Sequence, residues 1–315
     1  MDAAEGCDRP ANLPCKKRTG KMNKNSAVDG SIVLSIALPV YNGENYLDDA
    51  IRSILGQTIR DFELIICDNA STDNTEAICR SWIERDPRIV YCRHPSNLGA
   101  APNFNSGFRL AKGRYFKWAA HDDILESGYL KACIDLLDSD SRIVMAHTGT
   151  RFIDETGTVI HEYDRETGAF DSVDPLDRFS AAIDEGHYCV TVFGVVRREI
   201  LAQTSLIASF VGSDRSLIAE ISLRGRICHV LEPLFLSRDH TDRSVRALDI
   251  DERGAWFDAS SKVRSDWHNW RMLYHHLRVL VQSPLPLLQK IAGLGRIARW
   301  AWRWKRRLLS DFRRR

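Results

Sequence analysis

The chain of 315 residues, 44% apolar and 27% charged, has the balance of a globular protein and room for one large domain with an appendage or for two domains. No apolar run approaches the ~20 residues of a membrane-crossing helix, and the eight cysteines never form a C-x-x-C pair, which argues against a zinc centre. The net charge of +2 is unevenly spread: acids are frequent between Ile32 and Asp251, whereas basic residues crowd the last thirty positions, so attraction to an anionic surface is local to the C-terminus.

In chain order, the polar stretch Met1 to Gly30 lacks the apolar core of a signal peptide and reads as a disordered lead-in; with the scattered cysteines it points to a reducing cytoplasm. From Ile32 the chain alternates. Ile32 to Val40 is a buried strand, Glu44 to Leu55 a helix, Phe62 to Cys67 a strand and Asn74 to Glu84 a helix. Arg88 to Arg93 is a short strand, Ala101 to Ala111 a helix closed by Gly113, and Phe116 to Ala120 a strand. Strands separated by helices of this length predict an α/β fold with a doubly wound, mostly parallel sheet.

Beyond this half the pattern weakens. A helix from Ser127 to Leu137 and a strand from Arg142 to Ile153 are followed by an acidic, poorly periodic stretch, Asp154 to Glu185, expected to be a long loop with short elements. Tyr188 to Val196 reads as a strand, Arg197 to Ile207 and Asp214 to Leu223 as helices, and Ile227 to Leu231 and Leu234 to Leu236 as strands. Helices are then predicted over Trp256 to Leu280 and Leu287 to Arg315. The domain plan is a tail to residue 30, an α/β domain over 31–245 and a helical extension over 246–315.

The chemistry collects where strands end, since open α/β sheets bind ligands outside the carboxyl ends of their strands. The fourth strand stops at His121-Asp122-Asp123. Adjacent carboxylates at an apolar sheet edge call for a hard divalent cation and, through it, a phosphate; capping of the next helix is the alternative. The first strand ends in Pro39-Val40-Tyr41-Asn42-Gly43, which turns the backbone out of the sheet and leaves an aromatic ring able to cover a base. The second ends in Asp68-Asn69-Ala70-Ser71-Thr72-Asp73-Asn74-Thr75, short polar groups suited to a base or ribose and to capping; Asp68 lies too early to cap the helix that follows.

Pro39-x-Tyr41-Asn42 with Glu44, Asp68-Asn69-x-Ser71-x-Asp73-x-Thr75, Asn97-x-Gly99, Lys112-Gly113 and Asp122-Asp123, in this order and spacing, resemble the family 2 inverting glycosyltransferases of GT-A fold, over roughly Ser31 to Val245. The resemblance implies a nucleotide-diphosphate sugar donor, with a UDP-sugar favoured. It implies that the backbone around Pro39, Val40 and Tyr41 frames the base, that Asp68 accepts from a base N–H, and that Asp122 and Asp123 hold ribose and a Mg²⁺ or Mn²⁺ ion. Asn42, Glu44 and Asn97 enter the donor site on the same ground. Many relatives read Asp-x-Asp-Asp where this chain has Ala120-His121-Asp122-Asp123, so one carboxylate is missing; His121 is a ligand, a phosphate donor or a bystander. Val211-Gly212-Ser213-Asp214-Arg215 resembles the segment that supplies the base, Asp214, for which a helix-start Asp is the alternative reading. Arg238-x-His240-x-x-Arg243 resembles a segment near the diphosphate, and no Gln-x-x-Arg-Trp of the processive synthases follows it.

The C-terminal stretch Leu287 to Arg315 interleaves Leu, Ile, Trp and Phe with Lys and Arg, Asp311 being its only acid. A helix of this kind can lie in an anionic membrane surface at the cytoplasmic face; packing of its tryptophans on the domain is the alternative. No base-reading module accompanies these charges, so no nucleic-acid partner is expected. The acceptor implied is a saccharide or a lipid-linked saccharide, with a nucleotidyltransferase or an inert nucleotide-sugar-binding scaffold as the competing functions.

Overall fold

The computed structural model describes residues 32–163, 169–183, 188–241, 256–257 and 267–311. The stretch 1–30, Arg243 and the expected boundary at 245–246 lie outside the described residues. Strands β1 (Leu34–Val40), β2 (Phe62–Asp68), β3 (Ile89–Arg93) and β4 (Tyr115–Trp118) alternate with helices α1 (Leu47–Leu55), α2 (Thr75–Arg85) and α3 (Ala100–Leu110). β1 and β2 are mostly apolar, interrupted by Ser35 and Glu63 and closed by Asp68, and every residue in them is buried, the mark of strands covered on both faces. Their alternate side chains divide between two cores. Leu34, Ile36, Leu38 and Val40 pack with Leu47, Ile51 and Ile54 of α1, whereas Ala37, Ile65, Cys67, Phe116 and Trp118 face the opposite layer.

The second half adds β5 (Ile124–Leu125), α4 (Tyr129–Ser139), β6 (Ile143–Ile153), β7 (Val159–Tyr163), α5 (Pro175–Ile183), β8 (Val195–Arg197), α6 (Arg198–Leu201), α7 (Ser213–Ser222) and β9 (Arg226–Arg238). The sheet order is β3-β2-β1-β4-β8-β6-β9-β5, with β7 beside β6. β1 runs parallel to β2 and β4, and β2 to β3. β8 is antiparallel to both β4 and β6, so β6 runs with β4, and β9 runs with β6. Val40, Asp68, Arg93, Trp118 and Arg238 therefore end at one edge of the sheet.

Several expected elements are shorter or different. The run Tyr188 to Val196 is not one strand: Val190–Phe193 makes a 3-10 turn after Cys189 at φ 60°, and pairing begins only at Val195. The Phe193 carbonyl accepts hydrogen bonds from the Lys117 ammonium and the Tyr129 hydroxyl, which removes it from any ladder. The helix expected over Arg197 to Ile207 stops at Leu201, where Thr204 Oγ1 bonds the Leu201 carbonyl and the backbone of Ile207 is captured by the Asn105 amide. The two strands expected after Ile227 are one strand, β9, whereas the described part of Asp154 to Glu185 carries the short elements expected there, β7 and α5.

At the C-terminus, α8 (His268–Gln282), α9 (Leu287–Arg303) and α10 (Lys305–Ser310) are described. The helix expected from Leu287 onward breaks at Trp304, where φ −91° and ψ 4° leave the helical region. The break returns the chain to the start of α8: Asp311 accepts from the Asn269 backbone and side-chain amides, and the Trp270 indole donates to the Leu308 carbonyl. Trp300 and Trp304 are buried and stacked 4.9 Å apart in the core layer that contains Phe179 and Leu217, whereas Trp302 is 70% exposed. No described helix is long and apolar enough to cross a membrane.

Candidate active site

The loops that follow β1 and β2 are locked to each other. Pro39 and Val40 are buried at the end of β1, and Tyr41 emerges 42% exposed. Asn42 and Ala70 both adopt left-handed backbone, φ 51° and 62°, a cost that the surrounding bonds must hold. The backbone N–H groups of Asn42, Gly43 and Glu44 donate to Ser71 Oγ, Thr75 Oγ1 and Asp73 Oδ2 at 3.0, 2.9 and 3.0 Å. In return Asn42 Oδ1 accepts from the Thr72 N–H at 2.8 Å, and Glu44 Oε2 from the Asn74 N–H and side-chain amide. Burial tends to raise the Asp73 carboxyl, but hydrogen bonds from Thr75 and Glu44 outweigh it and hold the carboxyl below its ordinary value. Asn42 and Glu44 thus brace the rim.

Asp68 ends β2 fully buried. Its Oδ1 accepts from the Ser71 N–H at 2.8 Å, and its Oδ2 from the Tyr91 hydroxyl at 2.6 Å, with Arg93 Nε at 3.3 Å. Burial and the Asp68 charge push the Tyr91 phenol far above its usual value, so it remains a donor. Asn97, exposed, accepts from the Asn69 amide and the Gly99 N–H, both at 2.8 Å, and braces the turn into α3.

The acidic pair is organised by β9. β5 pairs antiparallel with β9, Ile124 opposite Leu236, a register that continues to Asp123 opposite Ser237 and so sets Asp123 beside the end of β9. The Arg238 N–H donates to Asp123 Oδ1 at 2.9 Å, and His240 Nε2 lies 2.9 Å from Asp122 Oδ2. The Arg238 guanidinium, itself buried, donates to the carbonyls of Asp122, Asp154 and Glu155 at 3.0, 3.2 and 2.9 Å. It lies 4.6 Å over the Tyr46 ring and 3.8 Å from Asp49 Oδ2. Neither acid caps α4, which starts at Tyr129 without a side-chain cap. His121 packs on Gly43, where a Cβ would come within 2.8 Å of its ring.

Behind the pair, Lys117 is fully buried over the Tyr129 ring at 4.6 Å. Burial lowers its ammonium to about 7, opposed by Cys133 and Asp123. Sequence reasoning takes Tyr46 only as a helix core position and passes over Asp49, Tyr91, Arg93 and Lys117. Each lies within an apolar or helical run; only the pairing of β9 with β5 and of β3 with β2 shows what they touch.

Asp214 stands in the first turn of α7, after Gly212 at φ 87°, and its Oδ1 accepts from the Arg215 N–H at 2.8 Å. α7 leads to Arg226, which pairs with Ile143 at the start of β6. Its N-terminus therefore points to the opposite edge, the one where β1, β2 and β4 end. Both readings of Asp214 agree with this placement.

Among the described residues, no three His, Cys, Asp or Glu side chains converge closely enough to hold a metal alone. Asp122 and Asp123 do supply hard oxygens. Mg²⁺ commonly takes one or two carboxylates and completes its shell with substrate phosphate and water, so the donor set fits an ion that arrives with a diphosphate better than a resident one.

The profile described as "Glycosyl transferase family 2" matches residues 35–204, more than half of the chain. The chain is 36% identical over 126 residues to an uncharacterized glycosyltransferase of Rickettsia prowazekii, an alignment covering 40% of this chain and 38% of that one. It is 34% identical over 128 residues to the chondroitin synthase of Escherichia coli, covering 41% and 18%. The matches thus span well under two thirds of these relatives. TarS of S. aureus, solved with UDP-GlcNAc, superposes with a TM-score of 0.63 at 15% identity, covering 86% of this chain and 73% of TarS. The mannosyltransferase PcManGT of Pyrobaculum calidifontis, solved with GDP-Man and Mn2+, gives 0.52 at 16% identity, covering 90% and 79%. With a GT-A fold and strand-end loops of this construction, the chain belongs to glycosyl transferase family 2.

Proposed function

We propose that this glycosyltransferase moves one sugar, with inversion, from a nucleotide-diphosphate sugar, UDP-linked by preference, to a hydroxyl of a saccharide or lipid-linked saccharide. The observation that carries the reading is the convergence of Asp122 with His240 and of Asp123 with the Arg238 backbone, at the edge where β1 and β2 end. The neighbours solved with UDP-GlcNAc and with GDP-Man and Mn2+ support a nucleotide-sugar donor and a divalent ion. Pro39, Val40, Tyr41 and Asp68 contact the base, and Asp122 the ribose. Asp123 with Asp122 would hold Mg²⁺ or Mn²⁺, which would supply neutralisation of the charge on the departing diphosphate.

The remaining work falls to side chains. Asp214 takes the acceptor proton as the hydroxyl oxygen bonds the anomeric carbon, while the bond from that carbon to the diphosphate oxygen breaks on the opposite face. His240 fixes the Asp122 carboxylate, and Arg238 clamps the acidic loop through three carbonyls, so both act as positioning residues. The cationic character of Trp267 to Ser310, nine Lys or Arg and no Asp or Glu, supports attachment to an anionic membrane surface at the cytoplasmic face.

The test is a thermal-shift titration with UDP-, GDP-, CDP- and dTDP-sugars, with and without Mn²⁺, on the native chain and Asp123→Asn. Asparagine keeps an oxygen for the Arg238 N–H and removes the charge. Stabilisation by one nucleotide that needs Mn²⁺ and disappears in the variant is expected; no stabilisation by any nucleotide under either condition rules the donor site out.

A further inference from the structure

A cleft of about 480 Å³ opens between the 208–210 loop and the first two turns of α8. Its walls are Phe210, Trp267, Trp270, Arg271, Tyr274 and His275. The rings form a fixed array: Phe210 lies 4.4 Å from His275, Tyr274 meets His275 edge-on at 5.6 Å, and Trp267 meets Trp270 at 6.5 Å. The Trp270 plane is set by its 3.0 Å bond to the Leu308 carbonyl on α10. Tyr274 nevertheless remains 61% exposed and Trp270 36%, so ring surface faces solvent.

The cleft adjoins the turn that carries Asp214. The Ser213 N–H bonds back to the Phe210 carbonyl at 3.2 Å, and Asp214 follows directly. Gly212 is packed on α8, where a Cβ would come within 3.2 Å of Met272 Sδ, the residue after Arg271. Phe210 of the cleft wall and Asp214 thus belong to one turn of chain. A pyranose presents an apolar C–H face and a rim of hydroxyls, so it needs flat aromatic walls with fork-like donors at their border. Trp270 and Tyr274 supply the walls and Arg271 and His275 the polar border. A nucleotide is better served at the β1 and β2 loops, whose backbone and carboxylates point out of the sheet.

We propose that this cleft is the acceptor subsite and binds a saccharide by stacking it on Trp270 and Tyr274, with a hydroxyl directed at Asp214. The proposal rests on the reading of Asp214 as the base. It is tested by following intrinsic tryptophan fluorescence of the full chain during titration with cellotetraose, chitotetraose and a chondroitin tetrasaccharide. Tyr274→Ala and Arg271→Ala change exposed side chains and leave every tryptophan in place. A saccharide should perturb the emission, and each variant should weaken its binding about tenfold, while the thermal shift with nucleotide sugar stays unchanged. Equal affinity in the native chain and both variants overturns the proposal, as does emission that responds to anionic vesicles of phosphatidylglycerol and to none of the saccharides. The saccharide titration needs no nucleotide and the nucleotide titration no saccharide, so failure of the donor reading is seen separately.

Discussion

His276 is fully buried against Trp300 and Phe179, with ring centroids 4.9 and 6.4 Å away, and among the described residues neither ring nitrogen has a hydrogen-bond partner. Burial, helped by Arg215 and His275, lowers it from 6.5 to about 3. Between these values the unfolded chain binds a proton that the folded chain refuses. The titration of His276 therefore costs nothing above pH 6.5, and a growing penalty of up to about 1.4 kcal/mol per pH unit accrues as pH falls toward 3. His276→Phe keeps ring volume and removes the titration, so its urea midpoint should fall less than that of the native chain between pH 7 and 4.5. Parallel midpoint curves would refute the assignment. For catalysis, Asp214→Asn should lower kcat about 10²- to 10⁴-fold with the donor KM unchanged, measured with a saturating acceptor. Asp68, Asp122 and Asp123 stand out in the sequence as acids at the ends of apolar runs, and Asp214 through the resemblance of Val211 to Arg215 to a family segment. The partners of those acids are not legible, since Tyr46, Tyr91 and Arg93 look like ordinary helix and strand residues until β3 and β9 are laid beside their neighbours.

At the scale of elements, the junction between α3 and β4 is packed without slack. Ser35 Oγ donates to the buried Glu63 at 2.6 Å and accepts from the Lys112 and Gly113 N–H groups at 3.0 and 2.8 Å. A Cβ at Gly113 would lie 2.5 Å from the Ser35 nitrogen and 2.7 Å from the Leu34 carbonyl carbon, both backbone atoms that cannot swing aside. Gly113→Ala should therefore cost about 1–3 kcal/mol, read as a lower urea midpoint with the same slope. Gly295 on α9 has no atom within 4 Å of such a Cβ, and Gly295→Ala should stabilise by about 0.5–1 kcal/mol. This contrast follows how far the fold is legible. β1 and β2 are mostly apolar segments set off by α1 and α2, and their sequence suffices to define them. β5 and β8 have two and three residues, and their identity comes from β9, β4 and β6 alongside, not from any local pattern.

At the scale of the whole molecule, the question is whether the C-terminal helices are an appendage or part of the core. Trp300 has no exposed surface, and Ile297, Trp304 and Leu308 are buried with it. Gly293 lets α9 close on α8 and α5, since a Cβ there would fall 2.6 Å from Leu280 and 3.3 Å from Leu176. Removing these helices uncovers the faces of α5 and α7 that carry Phe179 and Leu217, whose burial supplies the main stabilisation of that layer. Trp300→Ala is therefore expected to cost about 3–5 kcal/mol through the cavity it leaves, and Trp302→Ala, on the exposed side of the same helix, less than about 0.5 kcal/mol. A chain ending at Ser283 should lose its cooperative urea transition. If it instead unfolded at the native midpoint, the helices would be a separable extension, and their cationic surface could be selected for membrane contact independently of the catalytic fold. Loss of the transition would mean that one set of helices both completes the core and carries the cationic surface, so that its buried tryptophans are unavailable to lipid and contact must run through exposed groups such as Trp302 and Lys305.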